Sequence, residues 1–263
     1  MFTAHFKMTD HPFMENPPVE WLLNDDRFDR ALARLRFFQE QGNLALIVGQ
    51  SGVGKSSLLR LFRQRMPQNR YGHVCFHLTS VTPIALLRSI VAGIGESPKL
   101  GKDRLFNQII DRVGKSETET VLIIDEAHLI PSQSLTDLRL LVSSGMDNDL
   151  PLKILLCGQE SISHTLKRSA LTDLVHRICV RYRMSSLTAS QTAVYIEHRL
   201  RCADASEKLF EPEAKAVIHD YSGGVPRQIN NIATACLINA ASKNFQKVDE
   251  NLVNETMAEF RLP

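Results

Sequence analysis

Apolar residues recur at helical spacing from Asp26 to Gln41, where Phe28, Ala31, Leu32, Leu35 and Phe38 fall on one face. After Gly42 the pattern changes to a short unbroken run, Leu44 to Val48, as expected of a strand covered on both faces of a parallel sheet. The alternation then repeats. Helical spacing over 55–65 is followed by a strand at 74–78, helices at 83–93 and 102–113, and a strand at 121–124. A helix at 132–142 and a strand at 153–157 complete the series. Strands alternating with helices predict βαβ units around a parallel sheet. Past Arg183 the pattern is helical throughout, with segments at 188–202, 212–221, 226–242 and 249–260. These observations predict an α/β domain over 26–186 and a small all-helical domain over 187–263. Residues 1–25, with Pro12, Pro17 and Pro18, read as an irregular lead-in that Phe6, Phe13 and Trp21 pin to the body.

Composition excludes several classes. With 43% hydrophobic residues in a chain of 263, there is ample material for a core and none of the poverty that keeps a chain disordered. A net charge of +2 argues against a uniformly basic nucleic-acid binder, although charge can still cluster locally. No apolar run approaches the roughly 20 residues of a membrane helix. The N-terminus lacks the basic start and apolar stretch of a secretory signal. The five cysteines (Cys75, Cys157, Cys179, Cys202, Cys236) have no CxxC or CxH spacing and read as small buried hydrophobes of a reducing, cytoplasmic compartment.

Two motifs carry chemistry. Gly49-Gln50-Ser51-Gly52-Val53-Gly54-Lys55-Ser56 fits G-x-x-x-x-G-K-[ST] between an expected strand and an expected helix. Its glycines let successive N–H groups turn inward around phosphate oxygens, so residues 49–57, Ser57 included, form the nucleotide cradle. Lys55 would reach the β- and γ-phosphates, and the Ser56 hydroxyl would ligate Mg²⁺. The run Val121-Leu122-Ile123-Ile124 ends in Asp125-Glu126, two carboxylates at the end of a parallel strand where such sheets bind ligands. Asp125 would hold Mg²⁺ and Glu126 would polarise the attacking water. Asp125-Glu126-Ala127-His128 also spells the box of one helicase group, but the helical tail offers no second motor domain. His128 lacks metal partners at usable spacing and reads as a polar residue near the site or a partner of Glu126.

With these motifs in place the chain resembles the AAA+ ATPases, in the branch of the ExeA-type secretion ATPases and the transposition ATPases TniB and TnsC. Beyond the two motifs, the likeness rests on Leu156-Cys157-Gly158-Gln159-Glu160, on Arg177-Ile178-Cys179-Val180-Arg181-Tyr182 and on Ser222-Gly223-Gly224-Val225-Pro226-Arg227-Gln228-Ile229-Asn230. The resemblance implies a P-loop NTPase fold, a parallel central sheet flanked by helices and followed by a small helical lid, with ATP and Mg²⁺ as cofactors. It implies that Gln159 is the first sensor and Arg227 the second, at the start of a lid helix. Arg177 is the implied arginine finger, given by a neighbouring subunit of a homo-oligomeric ring or filament, with Arg181 and Arg183 as rivals. Secretion-type relatives carry a membrane segment and a wall-binding module, whereas this sequence stops at Pro263. That favours the transposition reading, in which ATP-bound subunits assemble on double-stranded DNA and recruit a transposase. Lys99, Lys102 and Arg104 are the candidate DNA contacts. The alternatives are a stand-alone ATPase of secretion or envelope assembly acting on protein, and a low-turnover signalling switch, against which Glu126 and Arg177 both argue.

Overall fold

The computed structural model describes residues 2–77, 82–144 and 150–260. In chain order the elements are α1 (Phe2–His5), α2 (Asp26–Gln41), β1 (Leu44–Gly49), α3 (Lys55–Gln64), β2 (Tyr71–His77), α4 (Pro83–Gly93), α5 (Lys102–Gly114), β3 (Glu119–Asp125), α6 (Ser132–Val142), β4 (Leu152–Gly158), α7 (Ile162–Leu166), α8 (Thr172–Arg177), β5 (Ile178–Met184), α9 (Ala189–Cys202), α10 (Pro212–Ser222), α11 (Pro226–Ser242) and α12 (Glu250–Phe260). They form two compact units. One comprises Asp26–Gln50 and Leu58–Met184, the other Met1–Asp25, Ser51–Ser57 and Ser185–Pro263.

The first unit holds a five-stranded sheet of order β2-β3-β4-β1-β5, parallel at every pairing. Its central strands β1, β3 and β4 are the unbroken apolar runs, buried along almost their whole length. Along each strand alternate residues face opposite sides. Leu44, Leu46, Leu122, Ile124, Ile154 and Leu156 join the core formed with α4, α5 and α6, while α2 packs on β5 and β1. Parallel pairing aligns the strand ends at one edge, with Val48 opposite Gly158 and Arg183, and Asp125 opposite His77. Lys153 is buried within β4. Its Nζ donates to the Gly42 carbonyl at 2.9 Å and lies 3.0 Å from Glu119, so the desolvated charge is compensated.

β5 is a strand that the run-based pattern does not reveal. Ile178, Val180 and Met184 are buried while Cys179, Arg181 and Arg183 are exposed. An edge strand of this kind, covered on one face, alternates rather than running apolar throughout. β2, the other edge, begins three residues earlier than expected, at Tyr71, and the expected Leu78 lies outside the described residues. The edges also correct the reading of the cysteines. Cys75 and Cys179 are exposed, Cys202 is half-buried, and only Cys157 and Cys236 are buried. Burial pushes the Cys236 thiol up to about 12.

In the second unit α9 to α12 pack around Ile196, Leu200, Phe210, Ile218, Ile229 and Leu237. α9 starts at a capping box, with the Thr188 side chain on the Gln191 N–H and the Gln191 side chain on the Thr188 N–H. The lead-in is more ordered than its prolines suggest. It forms α1 and a single 3₁₀ turn, Val19–Trp21, and buries Phe2, Met8 and Phe13 in the same core. Arg199, only 2% exposed, holds it: Nε donates to the Pro12 carbonyl at 2.7 Å and Nη2 to the Met14 carbonyl at 3.0 Å. A guanidinium fork suits two carbonyls two residues apart, which a lysine cannot span. Arg199→Ala is therefore expected to destabilise this unit by about 2–3 kcal/mol, from the lost charge-assisted hydrogen bonds. Arg199→Lys should recover only part. Urea unfolding together with limited proteolysis inside residues 1–25 reads both effects.

Candidate functional site

In the helical unit, the phosphate-loop residues 51–57 lie against the start of α11. Gly52 and Gly54 adopt φ of +82° and +105°, the left-handed region that side chains disfavour. A Cβ on Gly52 would stand 2.8 Å from the Cβ of Arg227 and 3.1 Å from Val225. The contact is made by hydrogen bonds as well: the Arg227 backbone N–H donates to the Gly52 carbonyl at 3.2 Å, and Nη1 donates to Ser51 Oγ at 3.3 Å. Nε of the same guanidinium is 3.7 Å from the Glu15 carboxylate of the lead-in.

The turn before α11 explains how Arg227 reaches that position. Gly223, at φ +57°, ends α10 in a left-handed cap. At Gly224 (φ +69°) a Cβ would fall 2.0 Å from the Leu187 carbonyl, and the Gly224 carbonyl accepts the Leu187 N–H at 2.9 Å. Pro226 then opens α11, whose first turn presents Arg227. Val53 and Lys55 are buried, and α3 starts at Lys55 with no acidic residue in its first turn, leaving the positive end of the helix for an anion.

In the sheet unit, Asp125 closes β3 and is 8% exposed. Its Oδ1 accepts the Glu126 N–H at 2.9 Å, and Oδ2 lies 3.6 Å from Nδ1 of His77, at the end of β2. Glu126 sits at φ +54°, an uncommon conformation for a residue with a side chain and one that clusters at functional sites. Its Oε2 is 3.3 Å from His128 Nδ1, which also receives the Gln159 backbone N–H at 3.4 Å. Gly158 makes the approach possible, since a Cβ there would be 2.9 Å from the His128 backbone nitrogen. His128 thus joins the strand-end acid Glu126 to Gln159. One nitrogen cannot serve both neighbours at once: bare, Nδ1 accepts from Gln159; protonated, it donates to Glu126. His77 had no signal in the sequence, because its proximity to Asp125 arises from strand pairing.

Taken separately, the Ser56 hydroxyl and the Asp125 carboxylate are hard oxygen donors of the kind that suit Mg²⁺, and the glycine-built loop at the start of α3 is of the kind that suits phosphate. Among the described residues no group of three or more His, Cys, Asp or Glu could itself hold a metal.

The three arginines differ. Arg181 Nη2 donates to the Val175 carbonyl at 2.6 Å, and Arg183 grips both oxygens of Glu160 at 2.8 and 2.9 Å. Arg177, at the end of α8, is exposed. Of the basic residues considered for DNA, Lys102 Nζ is 2.7 Å from the buried carboxylate of Asp137, whereas the side chains of Lys99 and Arg104 are exposed.

Residues 39–166 match the family model described as an AAA domain. The chain is 30% identical over 262 residues to General secretion pathway protein A of Aeromonas hydrophila, covering 94% of this chain and 46% of that protein. It therefore spans less than half of that relative's length. Among solved structures it is similar to the Aeropyrum pernix ORC2 protein in its ADPNP–ADP complexes, with a TM-score of 0.72 at 16% identity over 95% of this chain and 71% of the other. It is also similar to the Thermotoga maritima RuvB Holliday junction branch migration motor, with a TM-score of 0.64 at 15% identity over 95% and 74%. Drosophila ORC bound to DNA gives 0.72 at 15% over 100% and 66%. Identities this low speak for fold alone. Among the described residues no helix is long and apolar enough to cross a membrane. The parallel sheet flanked by helices and followed by a C-terminal helical region is the P-loop AAA+ fold, and residues 39–166 are the part that matches the AAA domain model.

Proposed function

We propose that the protein binds Mg-ATP, hydrolyses it in the cytoplasm, and uses the cycle to act on a protein partner, as a secretion or envelope-assembly ATPase does. The observation that carries the nucleotide half is the seating of Arg227 on Gly52 and Ser51: it ties the first turn of a lid helix to the loop that would hold the phosphates. A guanidinium so placed swings from Ser51 to a bound γ-phosphate over a short path, which makes the lid helix report on nucleotide state. The protein-partner half is supported by the 30% identity with a general secretion pathway protein across 94% of this chain. That relative favours a protein partner over duplex DNA and a transposase. The compensation of Lys102 by Asp137 also weakens the basic loop as a phosphate contact.

In this reading Lys55 binds the β- and γ-phosphates, and Ser56 and Asp125 hold the metal, which supplies positive charge against the charge that builds on the transferring phosphate. Glu126 takes the proton of the attacking water. Its left-handed backbone and the nearby His128 fix where its carboxylate points, and Gln159 lines the same strand edge. Arg177 is the residue offered to a neighbouring subunit. Its exposure at a helix end suits that role, while Arg183 is engaged with Glu160 and Arg181 with a backbone carbonyl.

Lys55→Ala should lose at least tenfold in affinity for a fluorescent ATP analogue. Glu126→Gln should retain binding while turnover falls by about 10²–10⁴, the usual worth of a general base; turnover at the normal rate would remove Glu126 from that role. Mixing Arg177→Ala with Lys55→Ala subunits should restore part of the turnover that each lacks alone, whereas two dead subunits staying dead assigns the finger elsewhere. Assembly with a slowly hydrolysed ATP analogue should be indifferent to duplex DNA at low salt. Assembly that requires DNA and fades with salt would return the transposition reading.

A further inference from the structure

The helical unit contains an open groove of about 610 Å³ between the lead-in, α11 and α12. Its exposed apolar surface comes from Met14 on the lead-in and from Ala235 and Ile238 on α11, with the core residue Phe13 beneath. Ile238 is 54% exposed, a large apolar side chain left in water in the middle of a helix. The groove is acidic as well as apolar. Glu15 and Glu259 line it, and the lining includes no lysine or arginine among the described residues.

The shape selects the class of occupant. The wall of α11 runs from Asn231 to Ser242, about 16 Å at the rise of an α-helix, or three turns. Ala235 and Ser242 leave room beside the backbone, and Ile238 stands between them in the position of an anchor contact. A small apolar ligand would leave most of this trough wet. A helix of three turns would cover Ile238 along its length, laying an apolar stripe on the floor and cationic residues against the two carboxylates.

Glu15 links the groove to the phosphate loop. Its carboxylate, a lining group, is also the one 3.7 Å from Nε of Arg227, whose Nη1 reaches Ser51. Arg199 holds the backbone of Pro12 and Met14 and thereby fixes where Glu15 emerges.

We propose that this groove docks a basic amphipathic helix of a partner protein, and that the docked cation draws Glu15 away from Arg227. The second half rests on Arg227 being the residue that faces the nucleotide. Freed from its carboxylate, Arg227 engages phosphate more readily, so docking tightens ATP binding, and by linkage ATP tightens docking by the same factor. Because the Glu15–Arg227 pair is exposed to solvent, the effect is modest, about twofold to fivefold in affinity.

The test uses the full chain and a labelled 14-residue helical peptide carrying leucines at i, i+3, i+4 and i+7 with lysines on its flanks, followed by fluorescence anisotropy. An otherwise identical peptide with glutamates in place of the lysines is the control. The lysine peptide should bind at least tenfold more tightly than the glutamate peptide, and Ile238→Arg should abolish its binding while leaving affinity for the ATP analogue unchanged. Saturating lysine peptide should tighten ATP-analogue binding in the parent protein and have no effect in Glu15→Gln. Equal binding of both peptides, no binding, or indifference to Ile238→Arg overturns the docking site. Bound peptide with unchanged nucleotide affinity overturns the release of Arg227. A protein that binds no ATP analogue at all overturns the ATPase reading instead, and the anisotropy titration still decides the groove.

Discussion

A side chain on Gly52 would collide with Arg227, and the start of α11 rests on that missing Cβ. The backbone N–H of Arg227 satisfies the Gly52 carbonyl, its guanidinium reaches Ser51, and two consecutive left-handed glycines, 223 and 224, turn the chain sharply enough to start α11 at that spot. Each feature has little meaning alone. Together they place a guanidinium beside a glycine-rich loop of the kind whose N–H groups can gather anions.

The sheet unit solves a different problem, that of holding two carboxyl side chains at the end of a strand. Asp125 is nearly buried, yet its oxygens have the Glu126 N–H and His77 nearby, so its desolvation is offset. Glu126 is held in a disfavoured backbone region beside His128, which in turn meets Gln159. This conformation follows directly on β3, which with its neighbour β4 is buried along almost its whole length.

The lead-in belongs to the same physical account. Its prolines suggested loose chain, but Phe13 in the core and the Arg199 fork on Pro12 and Met14 fasten it. That fastening brings a carboxylate, Glu15, to the Arg227 guanidinium and completes one wall of an acidic, apolar groove. A segment without helical periodicity thus acquires order entirely from what it packs against.

Legibility followed the range of the interactions. Local ones were readable: the unbroken runs that became β1, β3 and β4, the helical periodicities of α2, α4 and α11, and the glycine-rich loop all follow from backbone sterics and burial within a few residues. Lys55 and Ser56 at the start of α3 and Asp125 and Glu126 at the end of β3 stand out in the sequence because their motifs have those residue types at a fixed spacing. β5 escaped because a strand covered on one face hides its signal in alternation, and the exposed cysteines of β2 and β5 were misread since edge position is not a local property. Only the tertiary structure decided that His77 meets Asp125, that Arg183 is bound to Glu160 while Arg177 is left exposed, and that Arg199 and Glu15 connect the lead-in to α9 and α11. Those are contacts between residues far apart in the chain, set by strand order and helix packing, and no spacing along the sequence encodes them.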